Sequence, residues 1–350
     1  MVDTGRMTSA ETGPNRSPAG EPFVLVGEPI EDWTGDARFF EYTEAVDPLR
    51  GGAITAVTPE LFGPELHQGG PTRIVPLDCS DALGVPYTAT SPALLASYIV
   101  VRPGEMVATA PDGTSELYYC LSGSGHSDFE TAASGDDLSS GTMPWRSGDL
   151  FVLPARCTTV HYADPGDADD DHVAVLYRVT DAPLLHYLGV RPWEARFRPT
   201  RFDGTATRAR LAEVAAHPDA DARNRVSVLL GNTATPQTLT VTHTLWAMLG
   251  VLPPGRVQRP HRHQSVALDL VVDCEPGCYS LVGEELDPSG AIVDPRRVDW
   301  QPGSAFVTPP GAWHSHHNES TTPAHLLPVQ DAGLHTYLRS LDIRFGPSST

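Results

Sequence analysis

An all-β chain, built as two successive barrels with a few short helices, is what the sequence predicts. First, 31 glycines and 33 prolines in 350 residues supply many turns and short strands rather than helical layers. Second, Leu239, Val241, His243 and Leu245 alternate with Thr240, Thr242, Thr244 and Trp246, the period-two pattern of a half-buried strand. Third, one framework occurs twice: Gly104 and Gly255 lie 151 residues apart, and Gly148 and Gly303 lie 155 apart. Units of about 150 residues match the usual size of a domain and allow ample core.

Taken in order, residues 1–21 are polar and rich in Gly, Pro, Ser and Thr, and read as a disordered tail rather than a signal peptide. Residues 22–190 form the N-terminal barrel. Residues 191–235 are a linker whose stretch 207–216 (TRARLAEVAA) is a short helix bridging the barrels. Residues 236–350 form the C-terminal barrel. The acidic runs 128–137 and 164–171 read as solvated loops, since they lack the ligand spacing of a calcium site. A net charge of −20 opposes nucleic-acid binding, and no apolar run approaches a membrane span. The five cysteines, at 79, 120, 157, 274 and 278, are odd in number and contain no C-x-x-C pair, which fits a reducing cytoplasm. Cys274 and Cys278 read as small apolar side chains.

The chemistry concentrates in two stretches. Gly255 is followed after five residues by His261-Arg262-His263; Gly303 leads through Pro309 and Gly311 to His314 and Asn318. On a strand, His261 and His263 share one face while Arg262 takes the other. The second stretch delivers His314 from elsewhere in the sequence, and three neutral imidazoles from two strands suit a divalent transition metal with open positions. Upstream the same spacing recurs without ligands. Ala110-Pro111-Asp112 stands for His-x-His, and Thr159 stands for the last histidine, with His161 two residues on. Glu116 there reads as a structural carboxylate.

The paired motifs resemble those of the cupin superfamily, which implies a bicupin of two double-stranded β-helix (jelly-roll) barrels, the first without metal ligands. Cupins usually add a glutamate three or four residues after the second histidine; here Ala267 and Leu268 occupy those slots, and Asp269 sits one step further on. An all-histidine site keeps the full metal charge and favours an anionic, chelating substrate. His261-Arg262-His263-x3-Ala267-Leu268 and Trp313-His314-x-His316-x-Asn318 resemble the gentisate 1,2-dioxygenase group, which includes salicylate and hydroxynaphthoate ring-cleaving enzymes. That resemblance implies ferrous iron held by His261, His263 and His314, an aromatic acid and dioxygen as substrates, and His316 as a pocket residue. The chain departs from the group in carrying its triad in the second barrel.

Further site residues follow from position. His316 shares strand parity with His314 and is the candidate catalytic base, while His317 faces away. Arg256 and Arg259, just before the ligand strand, are candidates for gripping a carboxylate, with ion pairing as the competing use. Gln264 would need a strand bulge to turn inward. Trp246 and Trp313 are candidates for stacking on an aromatic ring, with core packing as the alternative. Manganese, nickel, copper and zinc also fit three imidazoles, a homodimer is the expected assembly, and a tailoring oxygenase, a redox-neutral isomerase or lyase, or a non-catalytic binding bicupin stays open.

Overall fold

The computed structural model describes residues 33–49, 51–132, 138–165 and 173–347. The tail expected at 1–21 and most of the second acidic run lie outside them. A first unit ends at Ile54, and its described part holds a short 3-10 helix, Tyr42–Ala45, capped by the Glu41 carboxylate. Both barrels lie in the unit that begins at Thr55.

Its strands form four antiparallel sheets, two per barrel. In the first barrel a six-stranded sheet runs in the order Thr200–Phe202, Leu150–Pro154, Ser115–Ser122, Ala174–Thr180, Leu95–Val101, Arg73–Pro76. A four-stranded sheet accompanies it, ordered Met106–Thr109, Cys157–Ala163, Ser124–Ala132, Leu138–Arg146. The second barrel repeats the plan. Its six-stranded sheet runs Leu61–Phe62, Ala305–Thr308, Ala267–Asp273, Ala324–Gln330, Trp246–Leu252, Val226–Leu230. Its five-stranded sheet runs Arg296–Asp299, Cys278–Gly283, Trp313–Asn318, Val257–Arg262, Arg344–Phe345.

The two six-stranded sheets are buried on both sides, which explains why Leu95–Val101, Leu150–Pro154 and Ala174–Thr180 are buried at every residue. Ile99, Tyr118, Phe151 and Leu176 fill the first barrel around Trp145. Their alternate neighbours Tyr98, Leu117, Val152 and Tyr177 join Ala247, Leu268, Val307 and Val329 in one core between the barrels. Polar links cross the same interface: Tyr98 donates to the carbonyl of Gly303 at 2.8 Å, and Thr244 Oγ1 to Ser115 Oγ at 3.0 Å.

Edge strands cross the expected domain division. Leu61–Phe62 precedes the first barrel yet pairs with Ala305–Thr308 of the second, and Thr200–Phe202 precedes the second yet pairs with Leu150–Pro154 of the first. The bridging helix is Gly204–Ala215, starting three residues before the expected 207. Asp203 caps it by accepting from the Ala206 amide at 2.9 Å. A Cβ at Gly204 would meet the Gly148 backbone at 2.4 Å, so this close approach requires glycine.

Two expected elements are corrected. The strand expected across 239–246 begins only at Trp246. Leu239 has φ +56°, and threonine hydroxyls hold the preceding stretch in turns: Thr235 Oγ1 donates to the Thr240 carbonyl, and Thr242 Oγ1 accepts from the Leu245 amide. The acidic run 128–137 is not all loop, because Ser124–Ala132 pairs with Leu138–Arg146 from Ser124↔Arg146 to Ala132↔Leu138.

The first barrel is plugged by its own side chains. Glu116, 1% exposed, receives Arg178 NH2 on Oε1 at 2.5 Å and the Tyr118 hydroxyl on Oε2 at 2.5 Å. Burial opposes the charge on Arg178, but the attraction of Glu116, with Tyr118 and Asp112, outweighs it and raises the guanidinium pKa. The register also moves one assignment: Thr109 faces Thr159 as His261 faces His314, so Thr109 rather than Ala110 holds the first ligand's place. Glu116→Ala is expected to leave metal content unchanged while costing up to about 3–5 kcal/mol of stability, since the buried Arg178 loses its closest carboxylate and keeps only the more exposed Asp112. Denaturant unfolding with metal analysis checks it; loss of metal from a folded variant would contradict the assignment.

Candidate metal centre

Val257–Arg262 and Trp313–Asn318 run antiparallel, with Val257↔His317, Gln258↔His316 and His261↔His314 in register. One extra residue between Gln258 and His261 makes a bulge that re-aims the ligand strand. Gly311, at φ +76°, turns the chain so that its amide donates to the His263 carbonyl at 2.7 Å, binding the two motifs together.

Four imidazoles converge inside the second barrel: His261, His263, His314 and His316, none more than 4% exposed. Ring centroids lie 4.0 Å apart for His261–His314, 4.9 Å for His263–His314, 5.6 Å for His314–His316 and 5.8 Å for His261–His316. The tightest set of ligand atoms, all within 4.8 Å of one another, belongs to His261, His314 and His316 rather than to the expected set with His263.

Hydrogen bonding orders them differently. His261 Nδ1 donates to the Arg259 carbonyl at 3.1 Å, His263 Nδ1 to the Ser265 carbonyl at 2.8 Å, and His314 Nδ1 to the Ala312 carbonyl at 3.1 Å. A carbonyl only accepts, so each of these rings keeps its proton on Nδ1 and a lone pair on Nε2, the form a metal needs. His316 instead meets a hydroxyl, Ser280 Oγ, at 2.7 Å, and its Nε2 is buried with no partner among the described residues. Burial foremost holds His263 down to about 4 and the other three well below 6.5. For His261 and His316 the positive charge of Arg225 adds to the lowering, so the donors are neutral as ligation requires. These residues fit a divalent metal.

Arg225 is a residue beside the cluster that the sequence reading did not single out. It precedes Val226–Leu230 and lines one small cavity with His316, Gln258 and Pro328. Burial lowers its pKa while Asp269 raises it, and its NH1 approaches the Met248 sulfur at 3.4 Å. Asp269 lies inside the same barrel, 2% exposed, accepting from Thr308 Oγ1 at 2.6 Å; burial raises it to about 6. It does not join the tight histidine set.

The other expected residues separate. Trp246 shares parity with Met248, opposite the interbarrel residues Ala247 and Leu249, so it faces inward; its indole nitrogen is buried without a partner among the described residues. Trp313 lies on the outer face, where the Arg262 guanidinium sits 5.1 Å from its ring. Gln264 stays outside the site, accepting from the Asp342 amide at 2.7 Å. Arg259 acts through its main chain, holding His261 and tied to Asn224 at 2.8 Å. Arg256, exposed, lines a surface cleft with Arg225 and Gln258. His317 faces away and stacks on Tyr279 at 4.6 Å.

The buried imidazoles set an acid limit. His161, down to about 3, joins the four of the site. Below pH 6.5 the unfolded chain takes up protons these folded rings refuse, so their stabilisation is complete above 6.5 and is lost as pH falls toward the folded values. Asp269, and Asp331 raised to about 7, act oppositely, favouring the folded state as they protonate. Glu116, which burial also raises, acts in the same direction, and five rings against three carboxylates leave the acid loss dominant. Metal-free protein is expected to melt at progressively lower temperature from pH 6.5 to 5; a flat or rising Tm across that range would contradict it.

The fold is two consecutive antiparallel β-barrels, with the histidine cluster inside the second. Residues 248–330 match the cupin domain family. Gentisate 1,2-dioxygenase 1 of Aquipseudomonas alcaligenes is 39% identical over 83 residues, 24% of this chain and 20% of that protein. The 1-hydroxy-2-naphthoate 1,2-dioxygenase of Nocardioides sp. (strain KP7) is 29% identical over 93 residues, 27% of this chain and 21% of that protein. The matched stretch thus spans about a fifth of the length of these curated relatives. In fold, a salicylate 1,2-dioxygenase from Pseudaminobacter salicylatoxidans superposes with a TM-score of 0.61 at 15% identity, over 83% of this chain and 88% of that one. No helix among the described residues is long and apolar enough to cross a membrane.

Proposed function

We propose that the chain is a non-heme, Fe(II)-dependent dioxygenase, ring-cleaving, acting on a hydroxylated aromatic carboxylate of gentisate type. The observation that carries this reading is the meeting, inside one barrel, of three imidazoles with their lone pairs on Nε2, that of His261 facing the Gln258 amide at 3.4 Å, and a buried guanidinium. His261, His263 and His314 would hold the metal. Ferrous iron, when bound, supplies dioxygen binding and the electron transfer of ring cleavage.

The chain's own residues then orient the acid. Arg225 meets the carboxylate, a desolvated cation for an anion, and Arg256 draws the acid toward the cleft that both line. With no protein carboxylate among the ligands, the site retains the charge that a carboxylate and an adjacent phenolate would balance. Trp246 offers an inward aromatic wall, and His316 a hydrogen-bonding group beside the ligands. The names of the two curated relatives support the substrate class, since both specify hydroxylated aromatic carboxylates. Five cysteines, all free in the structure, accord with a cytoplasmic setting.

The test is oxygen uptake by anaerobically iron-loaded protein against hydroxybenzoates and hydroxynaphthoates, with ultraviolet spectra recorded alongside. Uptake with a new ring-opened chromophore, absent from His261→Ala, is expected. One tightly bound metal per chain with no uptake across the panel would overturn the reading.

A further inference from the structure

We infer that Ser280 and Trp300 fix the tautomer of His316, making its Nε2 a hydrogen-bond donor to an anionic oxygen of the bound acid rather than a metal ligand. This rests on the metal-centre reading above and explains why the tightest histidine set differs from the ligand set. The indole of Trp300 can only donate, and it donates to Ser280 Oγ at 2.9 Å. Ser280 is fully buried, and the acceptor available to its own hydrogen among the described residues is His316 Nδ1, at 2.7 Å. Were Nδ1 to carry the proton instead, the Ser280 hydrogen would be orphaned in the core, at a cost of about 1–3 kcal/mol. The neutral ring therefore carries its hydrogen on Nε2, the atom that is buried without a partner. His261, His263 and His314 carry theirs on Nδ1, so the four rings divide into three ligands and one donor.

The first barrel supplies an independent copy of the relay. Trp145 donates to Ser127 Oγ at 2.9 Å, and Ser127 Oγ lies 2.7 Å from His161 Nδ1. There the outward nitrogen has an acceptor: His161 Nε2 lies 3.2 Å from Thr109 Oγ1, the residue in the place of His261. In the second barrel that place is taken by a ligand whose lone pair faces the metal. No described residue supplies His316 Nε2 with an acceptor, and a phenolate or carboxylate oxygen is the group a metal-held aromatic acid would present. Ser280 is thus a positioning residue that acts through His316.

Two measurements without oxygen or substrate test this. In the first, ¹⁵N imidazole NMR of the metal-free protein reads the tautomers directly. His316 is expected with its proton on Nε2, the proton becoming mobile between nitrogens in Ser280→Ala and returning in Ser280→Thr. In the second, cobalt(II) alone is titrated into the histidine variants. Binding is expected to survive in His316→Ala and Ser280→Ala and to be lost in His263→Ala, with Ser127→Ala unchanged. In iron-loaded enzyme, Ser280→Ala should lower kcat about ten- to a hundredfold at full metal content, the usual weight of such supporting partners, and Ser280→Thr should restore it. An unprotonated His316 Nε2 in the wild-type protein, or loss of cobalt in His316→Ala with retention in His263→Ala, would overturn the inference. Absence of oxygenase activity would count against the dioxygenase reading alone.

Discussion

His314→Ala, reloaded anaerobically, is expected to hold no stoichiometric metal and to show no oxygen uptake with any aromatic acid. His314 is the hinge of the cluster: its ring lies 4.0 Å from His261 and 4.9 Å from His263, whereas those two rings, one on the strand and one just past its end, are 6.2 Å apart. Removing it leaves two ligands without the third imidazole that closes the site. Structural zinc sites bind with about 10–16 kcal/mol from four ligands, so one ligand of three carries roughly a thousandfold or more in affinity. His314 is 2% exposed, so the variant's fold should be checked by circular dichroism beside the metal analysis. A folded variant retaining one metal per chain would refute the site.

Arg225→Met should lower kcat/KM for an aromatic acid by about thirty- to several-thousandfold, the 2–5 kcal/mol typical of removing one partner of a desolvated charge pair. Methionine roughly preserves length and volume beside Met248, and it relieves the positive potential on the neighbouring imidazoles, so metal binding should not weaken. The discriminating control is the substrate's carboxamide, which lacks the negative charge. The acid should suffer the loss and the amide almost none. Equal losses for both, at unchanged metal content, would assign Arg225 to packing rather than carboxylate recognition.

The histidine cluster was legible because its spacing is local. His-x-His places two rings on one strand face, and the glycine and proline framework around His314 marks the strand that pairs with it. The lost site was legible by the same count, although a bulge between Gln258 and His261 shifts the structural equivalent from Ala110 to Thr109. Arg225 was illegible because it arrives from the linker side, at the start of a strand in the other sheet, and nothing local separates it from Arg223. Trp313 faced the wrong way for substrate for a reason parity does contain: its neighbour His314 already claims the inner face. The choice between His263 and His316 rests on which nitrogen each ring exposes, and that depends on Ser280 and Trp300, partners from other strands. Threonines 235–244 mimicked a strand, since alternation alone does not reveal hydroxyls committed to turns.

The exchanged edge strands mean that the molecule cannot be halved. Cut between 202 and 226, the C-terminal piece would lose Leu61–Phe62 and expose the hydrogen-bonding rim of Ala305–Thr308. It would also uncover the apolar sheet face that now meets Tyr98, Val152 and Tyr177. The first barrel is therefore expected to serve as a folding scaffold for the barrel that holds the histidines, and soluble, folded expression of the excised C-terminal piece would contradict it.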